Sequence, residues 1–194
     1  MKKISYSLRI AIIGNIKSLE EIFFESLKKL AIDFNLSTNN YECLIVFKQI
    51  PIKIKIFIAE KLEDLIYKFE KIQKLDVIIL SLNLYDPDSL TNITKPLLKE
   101  FNETYSFQGL SILVGMDIRN IFNISTLKDY KISRYQLEKI SKNLNLIYCF
   151  EIFNKSNDIA EIYNTIMDDF MIRFQYSNPE LFEAAKNYGK KLVS

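Results

Sequence analysis

Two strand-like segments that nearly touch in the sequence constrain the fold most. Residues 41–49 (YECLIVFKQ) and 52–59 (IKIKIFIA) are rich in β-branched and aromatic residues, and only Ile50 and Pro51 separate them. So short a connection can join only antiparallel strands, because parallel strands need a crossover of about a dozen or more residues. Apolar residues alternate with lysine at the start of the second segment, so one face of that strand should be solvated. The sequence therefore predicts a β-hairpin.

The rest of the chain alternates short apolar segments with longer amphipathic ones. The apolar segments are nearly continuous, as is typical of central strands in a parallel sheet covered on both faces. They comprise residues 8–13, 76–84, 110–116 and 147–153, and the segments with helical periodicity comprise residues 17–32, 60–74, 134–144 and 158–174. We therefore predict a three-layer α/β fold with a six-stranded, mostly parallel sheet. The predicted spatial order is 2-3-1-4-5-6, with strand 2 antiparallel and helices on both faces.

A further helix is predicted over residues 178–191. An Asn-Pro start signal and a glycine stop signal, Gly189, bound it. Its apolar residues fall on one stripe: Leu181, Phe182, Ala185 and Tyr188. We divide the chain into a domain over residues 1–175 and a C-terminal helical extension over residues 176–194. The stripe should either pack on the domain or dock a partner, because contiguous exposed apolar patches often mark interfaces.

The composition excludes several classes of site. The chain contains no histidine, so catalytic triads, metal sites and acid–base chemistry that depend on histidine are excluded. A net charge of +2 provides no bulk attraction to nucleic acid. Cys43 and Cys149 each lie in an apolar run and are interpreted as small core residues. No window is apolar over the roughly 18 to 20 residues that a membrane span needs. We expect a soluble, cytoplasmic protein with no integral membrane segment and no nucleic-acid partner.

One short sequence, RIAIIGNIKS at residues 9–18, is close to a phosphate-binding loop. In the Walker A pattern G-x-x-x-x-G-K-[ST], backbone N–H groups wrap the phosphates, while the lysine and the hydroxyl bind phosphate and Mg²⁺. Here Lys17 and Ser18 follow Gly14 after only two residues, and the second glycine is missing. We favour a tight strand–helix turn. The alternative is a shortened loop in which Gly14, Lys17 and Ser18 bind a nucleotide.

In the order of its elements the chain resembles Ras/Rab-type small GTPases, a family with the P-loop NTPase fold. The hairpin at 41–59 lies where that family joins its second and third strands. DVIILSLNLYDPDSLTNI at 76–93 is similar to the family's fourth strand and the turn that follows. GLSILVGMDIRN at 109–120 is similar to its fifth strand and base-recognition loop. The resemblance covers residues 8–174 in order and implies the small-GTPase fold.

The family's phosphate and magnesium motifs are degenerate in this sequence. Lys17 and Ser18 match the phosphate lysine and the magnesium-binding serine of a degenerate Walker A motif. The family's D-x-x-G corresponds to residues 58–61 (IAEK), which lack both the acidic residue and the glycine. Leu62 stands where the water-positioning glutamine would be. Thr38 matches the switch threonine, although we favour an ordinary loop residue there.

The base-recognition motifs are degenerate as well. The family's N-K-x-D corresponds to residues 116–119 (MDIR), so Arg119 replaces the carboxylate that pairs with guanine. Its S-A-K corresponds to residues 153–155 (FNK), where only the lysine remains. Phosphoryl transfer depends on positioning and on charge neutralisation by N–H groups, lysine and Mg²⁺. The losses therefore indicate that the fold is kept and the GTPase chemistry is lost.

The resemblance, with these losses, implies a catalytically inactive pseudo-GTPase that acts as a protein-interaction or scaffold module in intracellular signalling or trafficking. We expect no cofactor and no enzymatic activity. We expect a protein partner to dock on the hairpin at 41–59, the helix at 60–74 or the C-terminal helix at 178–191. In the hairpin, residues 41–47 should form an exposed edge strand, which is a natural docking place. One alternative is an atypical switch that binds GTP or GDP with Mg²⁺ through Lys17 and Ser18.

A second alternative is a phosphorylation-independent, receiver-like signalling domain. The sequence DVIILSLNLYDPDSL resembles the third strand and loop of response-regulator receivers. In that alignment the phospho-accepting aspartate falls on Ser81, and the acidic pair of the first strand falls near Gly14 and Asn15. A receiver of this kind has lost its phosphorylation chemistry.

Overall fold

Strands and helices alternate along most of the chain. The computed structural model describes residues 6–14, 20–36, 40–68, 75–90, 98–99, 103, 107–124, 131–153 and 157–193. The strands are β1 (Tyr6–Ile13), β2 (Asp33–Leu36), β3 (Asn40–Phe47), β4 (Ile50–Ala59), β5 (Val77–Asn83), β6 (Leu110–Met116) and β7 (Tyr148–Ile152). The helices are α1 (Glu25–Leu30), α2 (Leu62–Lys68), α3 (Ile118–Phe122), α4 (Arg134–Asn143), α5 (Asn157–Ser177) and α6 (Pro179–Val193). One π-helical turn (Glu20–Phe24) precedes α1, and a 3₁₀ turn (Pro87–Leu90) follows β5.

The strands form one mixed sheet of seven strands in the order β2-β3-β4-β1-β5-β6-β7. β3 runs antiparallel to β2 and β4, and the other neighbours pair in parallel. The α/β class, the antiparallel hairpin and the order of the predicted strands are confirmed. The predicted number of strands is wrong, because β2 adds one at the edge beside β3. β2 has only four residues, DFNL, and two of them are of types that are uncommon in strands.

The hairpin turns at Lys48 and Gln49, and not at Ile50 and Pro51 as the sequence predicts. Phe47 pairs with Ile50, which places Pro51 inside β4. The φ angles are 46° at Lys48 and 69° at Gln49, both in the left-handed region. A two-residue turn with both φ angles positive is of type I′. Since Asn-Gly is the usual sequence for that turn, a Lys-Gln pair carries no turn signal.

Helices cover both faces of the sheet, as predicted. Side chains of β1 alternate between two cores: Leu8, Ile10 and Ile12 face the first, and Ala11 and Ile13 face the second. Residues of α1, α3, α5 and α6 close the first core, among them Leu27, Ile121, Ile162 and Phe182. Residues of α2 and α4 close the second, among them Leu62, Leu65 and Leu137. Within the described ranges, no helix has both the length and the apolar character needed to cross a bilayer.

α6 packs against β4 and α5. Phe182 and Ala185 are buried in the first core, and the Phe182 ring lies 5.2 Å from the ring of Phe174 on α5. At these two positions the apolar stripe of α6 therefore packs on the domain, which is the first of the two predicted alternatives.

Gly189 lies inside α6, which continues to Val193, so the predicted helix stop is wrong. A Cβ atom built on Gly189 would lie 1.9 Å from the carbonyl oxygen of Gln49 and 3.1 Å from Cδ of Pro51. Close approach between α6 and the hairpin turn therefore requires a glycine here.

Candidate functional site

The carboxyl ends of the parallel strands meet at one edge of the sheet, and this edge contains the candidate site. The neighbours of β1 are β4 on one side and β5 on the other, so the chain's connections reverse direction between β1 and β5. Open α/β sheets bind ligands in the crevice at such a reversal. Gly14 follows β1 at this edge, Asp117 follows β6 and Phe153 follows β7.

Gly14 has a backbone conformation that favours glycine, but its N–H group is already used. Its φ angle is 150°, a value that residues other than glycine rarely adopt. The N–H group donates to the carbonyl oxygen of Ala59 at 3.0 Å, which extends the contact between β1 and β4. The other two residues predicted to bind a nucleotide, Lys17 and Ser18, lie outside the described residues. The shortened phosphate loop therefore stays a prediction.

A group of polar side chains, the carboxyl-edge cluster, surrounds Asp117. It comprises Tyr85, Asp117, Asn120, Lys131 and Glu151, with Phe153 at its rim. Asp117 is only 1% exposed, and its Oδ1 caps α3 by accepting from the N–H of Asn120 at 3.1 Å. Its Oδ2 accepts from the Asn120 amide at 3.1 Å and from the Lys131 ammonium at 2.9 Å. The Tyr85 hydroxyl makes a longer contact of 3.5 Å with the same oxygen.

The ionisation of this cluster follows from its hydrogen bonds. Burial raises the pKa of the Asp117 carboxyl, but the bonds from Lys131 and from the Asn120 N–H outweigh burial and lower the pKa below its ordinary value. Burial lowers the pKa of Lys131, but the bonds to Asp117 and Glu151 outweigh burial and raise it. Both groups are therefore charged at neutral pH.

Lys131 closes the cluster toward the end of β7. Its ammonium lies 3.3 Å from Oε1 of Glu151 and 4.5 Å from the centre of the Phe153 ring, a cation–π distance. The ammonium thus bridges the carboxylates that follow β6 and end β7. Both carboxylates are engaged by groups of the protein itself.

The residues that correspond to D-x-x-G and its glutamine have other roles. Glu60 and Lys61 are exposed, and the backbone N–H of Lys61 donates to the Asp64 carboxylate at 3.3 Å near the start of α2. Leu62 is fully buried in the second core. A buried leucine cannot orient a water molecule.

Arg119 takes the position where the resemblance places the guanine-binding carboxylate. Its guanidinium lies 4.8 Å from the centre of the Tyr85 ring. This cation–π contact, which the sequence does not predict, occupies the position. Of the residues at the S-A-K position, Phe153 is exposed beneath Lys131, while Asn154 and Lys155 lie outside the described residues.

The hairpin does not present the edge that we expected for docking. β3 lies between β2 and β4, so residues 41–47 are not an edge strand. Glu42 forms ion pairs with Lys53 at 2.5 Å and Lys55 at 2.6 Å. The prediction that this segment is an exposed edge is therefore wrong, and the reason is the unpredicted strand β2.

Ser81, which corresponds to the receiver's aspartate, is 2% exposed on β5. Its hydroxyl has no hydrogen-bond partner within the part of the chain that the structure describes. The register pairs Ile13 with Leu80, so Ser81 lies one residue further along, level with Gly14. A buried hydroxyl carries no negative charge and cannot replace the aspartate chemically.

Sequence reasoning missed most of the carboxyl-edge cluster. Asp117 and Asn120 have the spacing of an N-cap and the third residue of its helix, which is a usable signal. Lys131 and Glu151 belong to no motif. The pairing of β6 with β7 brings the backbone of Glu151 near Asp117, and a hydrogen bond from the N–H of Ile132 to the carbonyl of Leu84 ties the segment that contains Lys131 to the end of β5.

Comparisons with known proteins were made for the whole chain. No protein-family model matches it, and no curated protein matches it significantly.

Proposed function

We propose that this protein is a catalytically inactive relative of the Ras-like small GTPases that acts as a protein-interaction module. A cytoplasmic role in signalling or trafficking is part of the proposal. The observation that carries it is the carboxyl-edge cluster, in which Asp117 and Lys131 bond to each other at 2.9 Å. They do so at the edge of the sheet where a Ras-like protein would hold its base.

The topology supports the fold that this proposal requires. The segment β3-β4-β1-β5-β6-β7 of the sheet is the order that the resemblance implies, with its second strand antiparallel. The same antiparallel pairing of β3 with β4 argues against the receiver-like alternative, whose sheet is parallel throughout.

The residues at the expected catalytic positions support the loss of chemistry. Phosphoryl transfer needs an acidic partner for Mg²⁺ and a group that orients the attacking water. At the acidic position stands Ile58, an apolar residue packed against the first core, and at the water-orienting position stands Leu62, which is fully buried. Glu60 carries a carboxylate, but it is exposed at the end of β4.

GTP or GDP with Mg²⁺ does not fit the described part of the site. A phosphate loop needs free N–H groups that converge on the phosphate, and the Gly14 N–H donates to Ala59 instead. A base pocket needs a free carboxylate, and Asp117 already accepts hydrogen bonds from Asn120 and Lys131. The switch alternative therefore depends on residues outside the described part of the chain, Lys17 and Ser18 among them.

Thermal unfolding with nucleotide tests the proposal. A ligand present at a hundred times its Kd stabilises the native state by about 2.7 kcal/mol. For a chain of this size that corresponds to a rise in Tm of roughly 5 to 10 °C. We expect no rise beyond error with millimolar Mg²⁺-GTP or Mg²⁺-GDP, and no nucleotide released from the purified protein on denaturation. Lys17→Ala is the control: a rise in Tm that this substitution abolishes would restore the nucleotide switch.

A further inference from the structure

β7 forms one end of the sheet, and large apolar side chains are exposed along it. Its sequence, YCFEI, contains neither lysine nor proline, two residues with which proteins commonly protect sheet edges. Large exposed apolar side chains lie on it or directly next to it in the chain: Ile147 is 59% exposed, Tyr148 39% and Phe153 44%. An edge of this kind favours pairing with another strand.

The backbone of β7 shows which of its groups face outward. The N–H of Asp117 donates to the carbonyl of Ile152, so Ile152 faces β6. Because successive strand residues direct their N–H and C=O groups to alternate sides, Phe150 faces β6 as well, and Cys149 and Glu151 face outward. The guanidinium of Arg134 donates to the carbonyl of Cys149 at 3.2 Å, which agrees with an outward position.

We propose that β7 pairs with β7 of a second copy of this chain, antiparallel, about a twofold axis that passes beside Phe150. In this register Cys149 lies opposite Glu151 of the second copy. Both residues face outward, so each pair exchanges its two backbone hydrogen bonds. Phe150 lies opposite its own copy in a non-hydrogen-bonded pair, with Cβ atoms about 5 Å apart. The proposal concerns self-association and does not depend on the loss of nucleotide binding.

Charge and aromatic packing favour a second copy of this chain as the partner of β7. Successive side chains of a strand alternate between the two faces of the sheet, so Cys149 and Glu151 share one face, and Arg134 of α4 lies beside Cys149 on the edge. Within one chain Arg134 pairs with Glu138 at 2.8 Å and Glu151 pairs with Lys131 at 3.3 Å. In the dimer each Arg134 lies beside Glu151 of the other copy, and its contact with that carboxylate, added to these pairs, replaces its contact with the Cys149 carbonyl. On the opposite face the Tyr148 and Phe150 rings, 6.1 Å apart in one chain, form a group of four around the axis.

Sedimentation of the full-length protein tests the association. Because one short strand pair gives a small interface, we expect a weak dimer, populated between about 10 and 200 µM. Tyr148→Lys places a charge on the exposed edge and should weaken association at least tenfold. The matched control is Ile32→Lys, beside the opposite edge strand β2, where the wild-type side chain is also exposed. A monomer at all concentrations overturns the proposal, as does a dimer that Ile32→Lys weakens and Tyr148→Lys does not.

Disulfide trapping tests the register. In a Cys149→Ala background, Phe150→Cys places two thiols across the axis within reach of a disulfide. Tyr148→Cys, two residues away on the same face, places its thiol opposite Ile152 of the second copy. We expect oxidised glutathione to link the Phe150→Cys protein into a covalent dimer at least tenfold faster than the Tyr148→Cys protein. Equal rates, or faster linkage through residue 148, overturn the proposed pairing. Far-UV circular dichroism confirms that each variant is folded.

Discussion

Asp117 combines roles that are usually divided among several residues. It caps α3 through the Asn120 N–H, holds Lys131 across the strand ends, and its own N–H joins β6 to β7 through Ile152. A buried carboxylate is tolerated only when hydrogen bonds or a charge compensate its loss of water. Here the hydrogen bonds from Asn120 and the charge of Lys131 both compensate for that loss. Asp117 therefore joins α3, Lys131 and β7 at the carboxyl edge of the sheet.

Replacing Asp117 with asparagine should separate its charge from its capping role. Asparagine also caps helices well, so the main loss in Asp117→Asn is the attraction to Lys131. We expect the free energy of unfolding at pH 7 to fall by roughly 2 to 3 kcal/mol, because one partner of a buried ion pair is removed. Urea denaturation measures this change.

The difference in the free energy of unfolding between the wild type and Asp117→Asn should depend on pH, and the direction follows from the shift in the pKa of Asp117. The pKa of Asp117 is lowered in the folded protein, so its stabilisation is complete above the unfolded pKa, near 4. The stabilisation is lost as the pH falls through the lower, folded value. The difference between the wild type and Asp117→Asn should therefore shrink below about pH 4.

The matched control is Asp168→Asn, which breaks the exposed pair with Lys48 and should lower the free energy of unfolding by less than about 1 kcal/mol. Equal losses in the two variants would contradict our account of the cluster.

Only those residues of the candidate site that a local sequence pattern marks could be predicted. The sequence places Gly14 at the end of one strand and Asp117 and Arg119 just after another, and these positions can be read from local pattern. Lys131 and Glu151 join Asp117 only through folding, because neither the spacing nor the type of these residues marks a site.

At the scale of elements, the turn between β3 and β4 is held by two helices. Lys48 and Gln49 both have positive φ angles, which are unfavourable for residues other than glycine. Lys48 pairs with Asp168 of α5 at 2.6 Å, and the carbonyl of Gln49 rests against Gly189 of α6. Contacts from outside the hairpin therefore stabilise a turn that its own sequence does not favour.

Gly189→Ala should reverse the usual effect of this substitution. In a helix interior, alanine is normally more stable than glycine by about 1 kcal/mol. At Gly189 the new Cβ meets the Gln49 carbonyl at 1.9 Å, so either the turn or the helix must shift. We expect the free energy of unfolding to decrease by about 1 to 3 kcal/mol, measured by urea denaturation. Asn187→Ala, at an exposed position of the same helix, should change it by less than about 0.5 kcal/mol. A stabilised Gly189→Ala protein would exclude the close contact.

The elements that the sequence predicted well are those with a strong hydrophobic pattern. Residues 110–116 match β6, and residues 134–144 exceed α4 by one residue. β2 and the turn at Lys48 escaped prediction because their stability comes from neighbouring elements. A local pattern cannot report such tertiary effects.

At the scale of the whole molecule, α6 belongs to the first core. Phe182 is 8% exposed and Ala185 is fully buried, and both pack among residues of the sheet and α5. The sequence left open whether this helix docks a partner, because an apolar stripe looks the same in either case.

Phe182→Ala tests whether α6 is part of the first core. Removal of a buried phenylalanine side chain should lower the free energy of unfolding by about 3 to 5 kcal/mol. That loss corresponds to a fall in Tm of at least about 6 °C in a chain of this size, measured by calorimetry. Leu192→Ala removes a partly exposed side chain of the same helix and should lower Tm far less. Similar small effects from both substitutions would show that α6 contributes little to the core.

The contact between Gly189 and Gln49 also bears on the order in which the protein folds during synthesis. The β3–β4 turn leaves the ribosome early, and the helix that supports it is translated much later. A nascent chain that lacks α6 therefore contains the hairpin with its left-handed turn unsupported. Since domains fold largely as units, we expect the hairpin turn to reach its left-handed conformation only after residue 189 has emerged.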